Sequence, residues 1–174
     1  MAGVASCYNQ SGGTFRLDKM LANRLPDQNE AHGPGTPRVL VVDDYRGAAI
    51  GIATYLSLDG IETRVAGGCS DALETIRNWL PDLVLLDIWM PQRDGFETAD
   101  AIKHCIPAPR PLVLAYTCAE EQFVMVNASS ESFDGYCPKG TSPPELVLIV
   151  KSLCATAPAH RTLSRHATSS GQVP

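Results

Sequence analysis

Apolar and polar positions alternate along the middle of the chain in a repeating order. Short apolar runs rich in β-branched residues are typical of buried strands, and between them apolar residues recur at helical spacing. The runs predict strands at residues 38–42, 61–65, 83–86, 111–116 and 135–138. The segments between and after them predict helices at 46–58, 70–80, 94–106, 120–129 and 143–156. Five strands that alternate with five helices indicate an α/β fold, a doubly wound five-stranded parallel sheet.

The two ends of the chain have a different composition from this middle. Residues 1–37 are rich in Gly, Asn, Gln, Ser and Pro, and residues 158–174 are rich in Ser, Thr and His. Neither end has the composition to build a hydrophobic core. We therefore expect mostly disordered extensions on either side of one folded domain at 38–157. The alternative for the first extension is a short helix, since four apolar residues there fall at helical spacing: Leu17, Met20, Leu21 and Leu25.

Composition and charge narrow the classes of function. The 174 residues are 44% hydrophobic and 19% charged, which fits a globular domain. The formal net charge is -5, so no broad basic surface is available to neutralise phosphates, and we expect no DNA binding. No apolar run is long enough for a membrane span. The six cysteines form no CxxC pair, which favours reduced thiols and a cytoplasmic location.

Polar side chains directly follow four of the predicted strands. Asp43 and Asp44 follow the first strand, Asp87 the third, Thr117 the fourth and Lys139 the fifth. In an open parallel sheet, functional groups gather in the crevice beyond the carboxyl ends of the strands. Each residue alone could be a turn former, a helix cap or a solvated charge. Four such strand ends together favour a functional site.

The residue types at these strand ends indicate a particular chemistry. Three carboxylates in one crevice repel one another unless a cation neutralises them, and Mg²⁺ is the natural occupant because it prefers oxygen ligands. Lys139 would add positive charge and Thr117 a hydroxyl donor. Phosphoryl transfer needs little beyond positioning and charge stabilisation, and a carboxylate can itself be the nucleophile. The residues therefore predict a Mg²⁺-dependent phospho-aspartate site.

The motifs around these residues resemble those of response-regulator receiver domains, the chemotaxis-regulator type of two-component signalling. Val-Leu-Val-Val-Asp-Asp at 39–44 resembles the family's first strand with its acidic pair. Leu-Leu-Asp-Ile-Trp-Met-Pro-Gln-Arg-Asp-Gly-Phe-Glu at 85–97 resembles the phosphoacceptor strand and the loop after it. Residues 112–118 and 135–139 resemble the fourth strand with its hydroxyl and the fifth with its lysine. The resemblance covers about two thirds of the chain and implies the flavodoxin-like receiver fold.

The resemblance also implies roles for the acidic residues. Asp87 is expected to be the phosphoacceptor. Asp44 is expected to ligate Mg²⁺ directly and Asp43 mostly through water, with the backbone carbonyl of Trp89 completing the protein ligands. Gly95, in the loop after Asp87, fits a position with positive φ.

The switch residues follow from the same resemblance. Thr117 is expected to hydrogen-bond the phosphoryl oxygen and Lys139 to pair with it. Tyr136 occupies the position of the family's rotating aromatic, and its alternative is an ordinary strand aromatic. Two departures from the family pattern stand near these residues: Gly140 follows Lys139 where a proline is usual, and Cys118 follows Thr117 where alanine or glycine is usual.

Together these features predict a single-domain response regulator, a signalling protein rather than an enzyme. A histidine kinase or phosphotransfer protein would donate the phosphoryl group to Asp87, and the phospho-protein would hydrolyse slowly. The final helix carries more apolar residues than one packed face needs, so we expect part of it to be exposed. Output would then reach a downstream protein target through this helix, with a homodimer through the same face as a further expectation.

Two other classes of function stay open at this point. A phosphorylation-independent receiver-like interaction module would keep the fold without the switch, and Gly140 and Cys118 are the residues that leave this alternative open. A free-standing Mg²⁺ phosphohydrolase would need a substrate pocket and a general base, and the sequence indicates neither. Incubation with Mg²⁺ and a small acyl phosphate separates the switch from the module.

Overall fold

A computed structural model describes residues 35–90, 95–128 and 132–156. The strands are β1 (Arg38–Val42), β2 (Glu62–Ala66), β3 (Leu83–Leu86), β4 (Leu112–Thr117) and β5 (Gly135–Pro138). The helices are α1 (Arg46–Leu58), α2 (Cys69–Trp79), α3 (Gly95–Cys105), α4 (Glu121–Asn127) and α5 (Pro143–Thr156). Residues 1–34 and 157–174, including the helix considered near Leu17, lie outside the described residues.

The five strands form one parallel sheet in the order β2-β1-β3-β4-β5. This order confirms the predicted fold class, and it is the flavodoxin-like one. Strand β2 lies on one side of β1, and β3, β4 and β5 follow one another on the other side. The strand order therefore reverses between β1 and β3. Ligands of such sheets bind outside the carboxyl ends of the strands at that reversal.

Helices cover both faces of the sheet. The large core lies between the sheet and helices α1 and α5, and a second core lies between the sheet and helices α2 and α3. Strands β3 and β4 are buried along their whole length, as their continuous apolar runs predict. The large core is made of Val39, Val41, Ala49, Ala53, Leu56, Ile61, Leu83, Leu85, Leu112, Leu114, Tyr116, Cys137, Leu146, Val147, Ile149, Val150 and Leu153.

A third cluster, the small core, lies at the carboxyl end of the sheet beneath α4. Its buried members are Ile88, Ala115, Ala119 and Val124, and Phe96, Phe133 and Tyr136 pack against them partly buried. Helix α4 has only seven residues, ends before the predicted boundary at 129, and buries only Val124 among its described residues.

The final helix is more buried than the sequence suggested. Five of its six aliphatic residues between 146 and 153 are buried against the sheet, and only Leu148 is exposed, at 59%. Part of the helix is therefore exposed as expected, but the exposed part is one aliphatic residue and not a broad apolar face, because the other five pack in the core with the sheet and α1. The homodimer through this helix stays a prediction. Across the described residues, no helix has both the length and the apolarity needed to cross a bilayer.

Candidate functional site

Three carboxylates meet where the strand order reverses. The register of β1 and β3 pairs Val42 with Leu86, so the residues that follow, Asp43 and Asp87, end adjacent strands. Carboxylate oxygens of Asp43, Asp44 and Asp87 lie within 4.8 Å of one another. Asp43 and Asp87 are buried, whereas Asp44 is exposed. The structure thus brings together the acidic residues that the sequence placed at one crevice.

Backbone hydrogen bonds fix the two buried aspartates to the sheet. The N–H of Asp43 donates to the carbonyl of Ala66 at 3.1 Å, and the N–H of Asp87 donates to the carbonyl of Val42 at 2.9 Å. Both bonds continue the parallel ladders one residue past the strands. Both residues are therefore anchored to the sheet at the ends of β1 and β3, whose preceding residues are buried.

Lys139 reaches the carboxylates from the turn after β5. Its Nζ donates to Asp43 Oδ2 and to Asp87 Oδ2, each at 2.8 Å. Burial alone lowers the pKa of Lys139, but the hydrogen bonds to Asp43 and Asp87 and their charges outweigh burial and leave this pKa raised. The lysine therefore stays protonated and bridges the ends of β1 and β3.

The remaining hydrogen bonds of the site leave room for a cation. Asp43 Oδ1 accepts the N–H of Tyr45 at 2.8 Å, and Asp87 Oδ1 accepts the N–H of Trp89 at a longer 3.3 Å. Three carboxylates face one ammonium group, so the site carries excess negative charge that one lysine does not balance. Clustered carboxylate oxygens of this kind suit Mg²⁺, and the exposed Asp44 is open to solvent.

Thr117 and Tyr136 are linked through the loop after β4. Thr117 is fully buried, and its Oγ1 accepts the N–H of Ala119 at 3.2 Å. The hydroxyl of Tyr136 donates to the carbonyl of Ala119 at 2.7 Å, and the N–H of Lys139 donates to the carbonyl of Thr117 at 3.0 Å. Burial, followed by the charge of Glu121, raises the pKa of Tyr136. Thr117, Tyr136 and Lys139 therefore share one hydrogen-bonded segment.

The start of α3 packs directly on the Asp87 loop. A Cβ at Gly95 would overlap the carbonyl oxygen of Asp87 and lie 2.7 Å from Cα of Ile88. The N–H of Gly95 also donates to the carbonyl of Ile88 at 2.9 Å. The predicted positive φ was wrong, because Gly95 is the first residue of helix α3 and does not have a positive φ. Glycine is required here by the close approach of the backbone instead.

Phe123 of α4 lies beside the site and was not among the site residues predicted from the sequence. The indole ring of Trp89 stacks on Phe123 of α4, with ring centroids 5.2 Å apart and planes 24° apart. The available signal was an aromatic residue in the predicted fourth helix. Nothing in the local pattern indicates that it faces the loop after Asp87.

Comparisons with known proteins show which family this chain is similar to. The family model described as response regulator receiver domain matches residues 39–151. Response regulator protein VraR from Staphylococcus saprophyticus is 32% identical over 66% of this chain and 54% of its own length. DNA-binding response regulator MtrA from Mycolicibacterium smegmatis is 31% identical over 66% of this chain and 49% of its own length. The chain thus spans about half the length of the curated relatives it matches.

A solved response-regulator structure is similar to this chain over nearly the whole length of the solved protein. Response regulator protein TrrA from Thermotoga maritima, determined in complex with Mg²⁺ and BeF, is 30% identical with a TM-score of 0.60. The match covers 68% of this chain and 99% of that one.

The relatives also correct one expectation. The prediction of no DNA binding was wrong, because relatives that match this chain are named as DNA-binding response regulators. Net charge measures only how strongly this stretch attracts phosphates without sequence preference. It does not indicate whether a protein that contains such a stretch binds DNA.

Proposed function

The chain belongs to the response-regulator receiver family, and from that premise we propose that Asp87 accepts a phosphoryl group in a Mg²⁺-dependent reaction that switches a signalling surface. The observation that carries the proposal is the cluster of Asp43, Asp44 and Asp87 with Lys139 bridging two of them. The relative TrrA was solved with Mg²⁺ and BeF, which supports the same ligand chemistry here.

The metal would be held mainly by the acidic residues. Asp44, being exposed, and Asp87 would ligate it directly, and the backbone carbonyl of Trp89 would complete the set. Asp43 would act through water, because both of its oxygens accept hydrogen bonds of 2.8 Å, whereas Asp87 Oδ1 accepts only a longer bond of 3.3 Å. Mg²⁺ bound there would supply the positive charge that draws phosphoryl oxygens to the crevice.

Asp87 is the group that reacts. One of its carboxylate oxygens forms the new bond to phosphorus while the P–N bond of a phosphohistidine on a histidine kinase or phosphotransfer protein breaks, which yields an acyl phosphate and a free histidine. Lys139 already lies 2.8 Å from Asp87 Oδ2. It is therefore close enough to contact the phosphoryl oxygens once the negative charge has moved to them from the carboxylate.

The signal would leave the site through the loop after β4. The Thr117 oxygen accepts the N–H of Ala119, so its own proton remains available to a phosphoryl oxygen. Movement of Thr117 toward the phosphoryl group would pull on Ala119, whose carbonyl holds the hydroxyl of Tyr136. The new charge thereby biases the position of Tyr136 and of α4, which follows directly in the chain.

The proposal concerns the receiver region itself. The expectation of a single-domain regulator has no support from the relatives, since this chain matches about half of their length. Some of these relatives are named as DNA-binding response regulators, so regulation of DNA binding is one output that such a switch serves.

Phosphorylation with a small acyl phosphate tests the proposal. We expect intact-mass measurement to show one added phosphoryl group with Mg²⁺ and none when the metal is chelated. Asp87→Asn should abolish the addition because an amide is not a nucleophile for acyl-phosphate formation. The matched control is Asp82→Asn, which changes another buried aspartate at the opposite end of β3 and should leave labelling intact. Undiminished labelling of Asp87→Asn would contradict the assignment and favour another acceptor.

Metal binding separates the roles of the two aspartates that follow β1. We expect Asp44→Ala to raise the dissociation constant for Mg²⁺ by about tenfold or more, since a directly bound ligand is lost. Asp43→Ala should have a smaller effect, because Asp43 already binds Lys139 and the N–H of Tyr45. Titration calorimetry of the full chain measures both. Equal losses would show that the two roles are assigned wrongly.

A further inference from the structure

We infer that Phe123, on α4, is a positioning residue for the metal and phosphoryl site. Its ring holds the backbone of Trp89 in place and couples α4 to the acidic cluster. The inference rests on the proposed function and adds a residue outside the receiver motifs to the site. It also gives the site a second connection to α4, separate from the loop between Thr117 and Tyr136.

The backbone of Trp89 belongs to the site, whereas its side chain lies outside. The N–H of Trp89 donates to Asp87 Oδ1, and its carbonyl is the proposed metal ligand. Its neighbours Ile88 and Met90 are buried, but Trp89 is 59% exposed. The stack on Phe123 is therefore the contact by which the outward-facing side chain restrains this peptide.

Phe123 is itself held by further rings. It lies 6.1 Å from the ring of Phe96 at an angle of 59°, and Phe96 meets Phe133 edge-on at 5.9 Å. We call these four residues, Trp89, Phe123, Phe96 and Phe133, the aromatic array. The array runs from the Asp87 loop through α4 and the start of α3 to the segment before β5.

Few other interactions anchor α4. The helix buries only Val124 among its described residues, and Glu120 at its N-cap makes no side-chain capping hydrogen bond. An offset aromatic pair contributes free energy beyond that of the apolar area it buries. This extra contribution corresponds to about twofold to tenfold in an equilibrium constant. In a helix of seven residues, one such stack is a considerable part of the total attachment.

The coupling must act in both directions. A metal ion that binds better when the Trp89 carbonyl is held in place also favours the docked position of α4. Loss of the stack should therefore weaken metal binding, and metal binding should strengthen the stack. Neither effect requires Thr117 or Tyr136 to move.

The test compares Phe123→Leu with Met125→Leu in the full chain. Both residues lie on α4 and are about equally exposed, at 39% and 40%, but only Phe123 stacks on Trp89. We expect Phe123→Leu to weaken Mg²⁺ binding by about twofold to tenfold, Phe123→Tyr to restore it, and Met125→Leu to leave it unchanged. Calorimetric titration of Mg²⁺ is the measurement.

A second readout needs no metal. Trp79 is 8% exposed, so acrylamide quenching of fluorescence reports mainly on Trp89. Phe123→Leu should increase this quenching in the metal-free protein, and Met125→Leu should not. Equal Mg²⁺ affinities of the two variants, or equal quenching, would overturn the inference. Failure of the wild-type chain to bind Mg²⁺ would overturn the proposed function, while the quenching comparison would still report on the stack.

Discussion

The large core and the small core differ in how firmly they hold the elements around the site. Seventeen buried residues of the described chain make up the large core, which joins α1 and α5 to the strands that end in Asp43 and Asp87. Four buried residues make up the small core, on which α4 rests. The carboxylates are therefore fixed to the stable part of the molecule, while the helix beside them is attached by few contacts.

This difference fits a switch. Elements that move in regulated proteins are drawn from regions of low local stability, since a small free-energy change must be enough to shift them. The acidic cluster must keep its geometry whether or not a ligand is bound, and the large core provides that. The small core and the aromatic array let α4 respond. Lys139 links the end of β5, where Tyr136 packs against the small core, to the ends of β1 and β3.

The largest expected effect comes from a matched truncation in each core. Leu146→Ala, at a fully buried position in α5, should lower the free energy of unfolding by about 2–5 kcal/mol. Val124→Ala, in α4, should lower it by no more than about 1.5 kcal/mol and should act mainly by opening α4 locally. Urea unfolding gives the global values, and hydrogen exchange of α4 amides gives the local one. Equal global losses would show that α4 is not the weaker region.

A pair of glycines gives an intermediate effect. Gly95→Ala should cost about 1–3 kcal/mol and weaken Mg²⁺ binding, because the new Cβ meets the backbone of Asp87 and Ile88. Gly140→Ala, in the turn beside Lys139, should change stability by less than about 1 kcal/mol, since a Cβ there has no atom within 4 Å. Thermal unfolding and metal titration of both variants check this. A costly Gly140→Ala would mean that the turn is tightly packed after all.

The smallest expected effect is the pH dependence of the Lys139 bridge. The pKa of Lys139 is raised above its ordinary value of 10.5, since its bonds to Asp43 and Asp87 outweigh burial. A group with a raised folded pKa stabilises the fold fully below its unfolded pKa and loses that contribution as the pH rises through the folded value. Metal-free wild type should therefore keep a constant stability advantage over Lys139→Met up to about pH 10.5. The advantage should shrink at higher pH in urea unfolding, and an advantage that grows there would contradict the bridge.

The sequence by itself determined the order of the elements and the residues at the strand ends. Strand and helix periods are local properties, and β1, β3, β5, α1 and α5 have the bounds that the pattern predicts. The meeting of Asp43, Asp44 and Asp87 also followed from sequence, because parallel strands bring their carboxyl ends to one edge. Errors at other boundaries, such as Thr117 lying inside β4, amount to one or two residues.

The tertiary structure alone decided which side chains touch. Lys139 and Asp43 are 96 residues apart, and no local pattern states that one ammonium group bridges Asp43 and Asp87. How many α5 apolar residues are buried depended on the strands and the helix α1 that share a core with them, which the sequence of a single helix does not encode. The stack of Trp89 on Phe123 likewise arises from packing between a loop and a helix that are distant in sequence. Such contacts are set by the summed packing of the whole domain, so local periodicity does not reveal them.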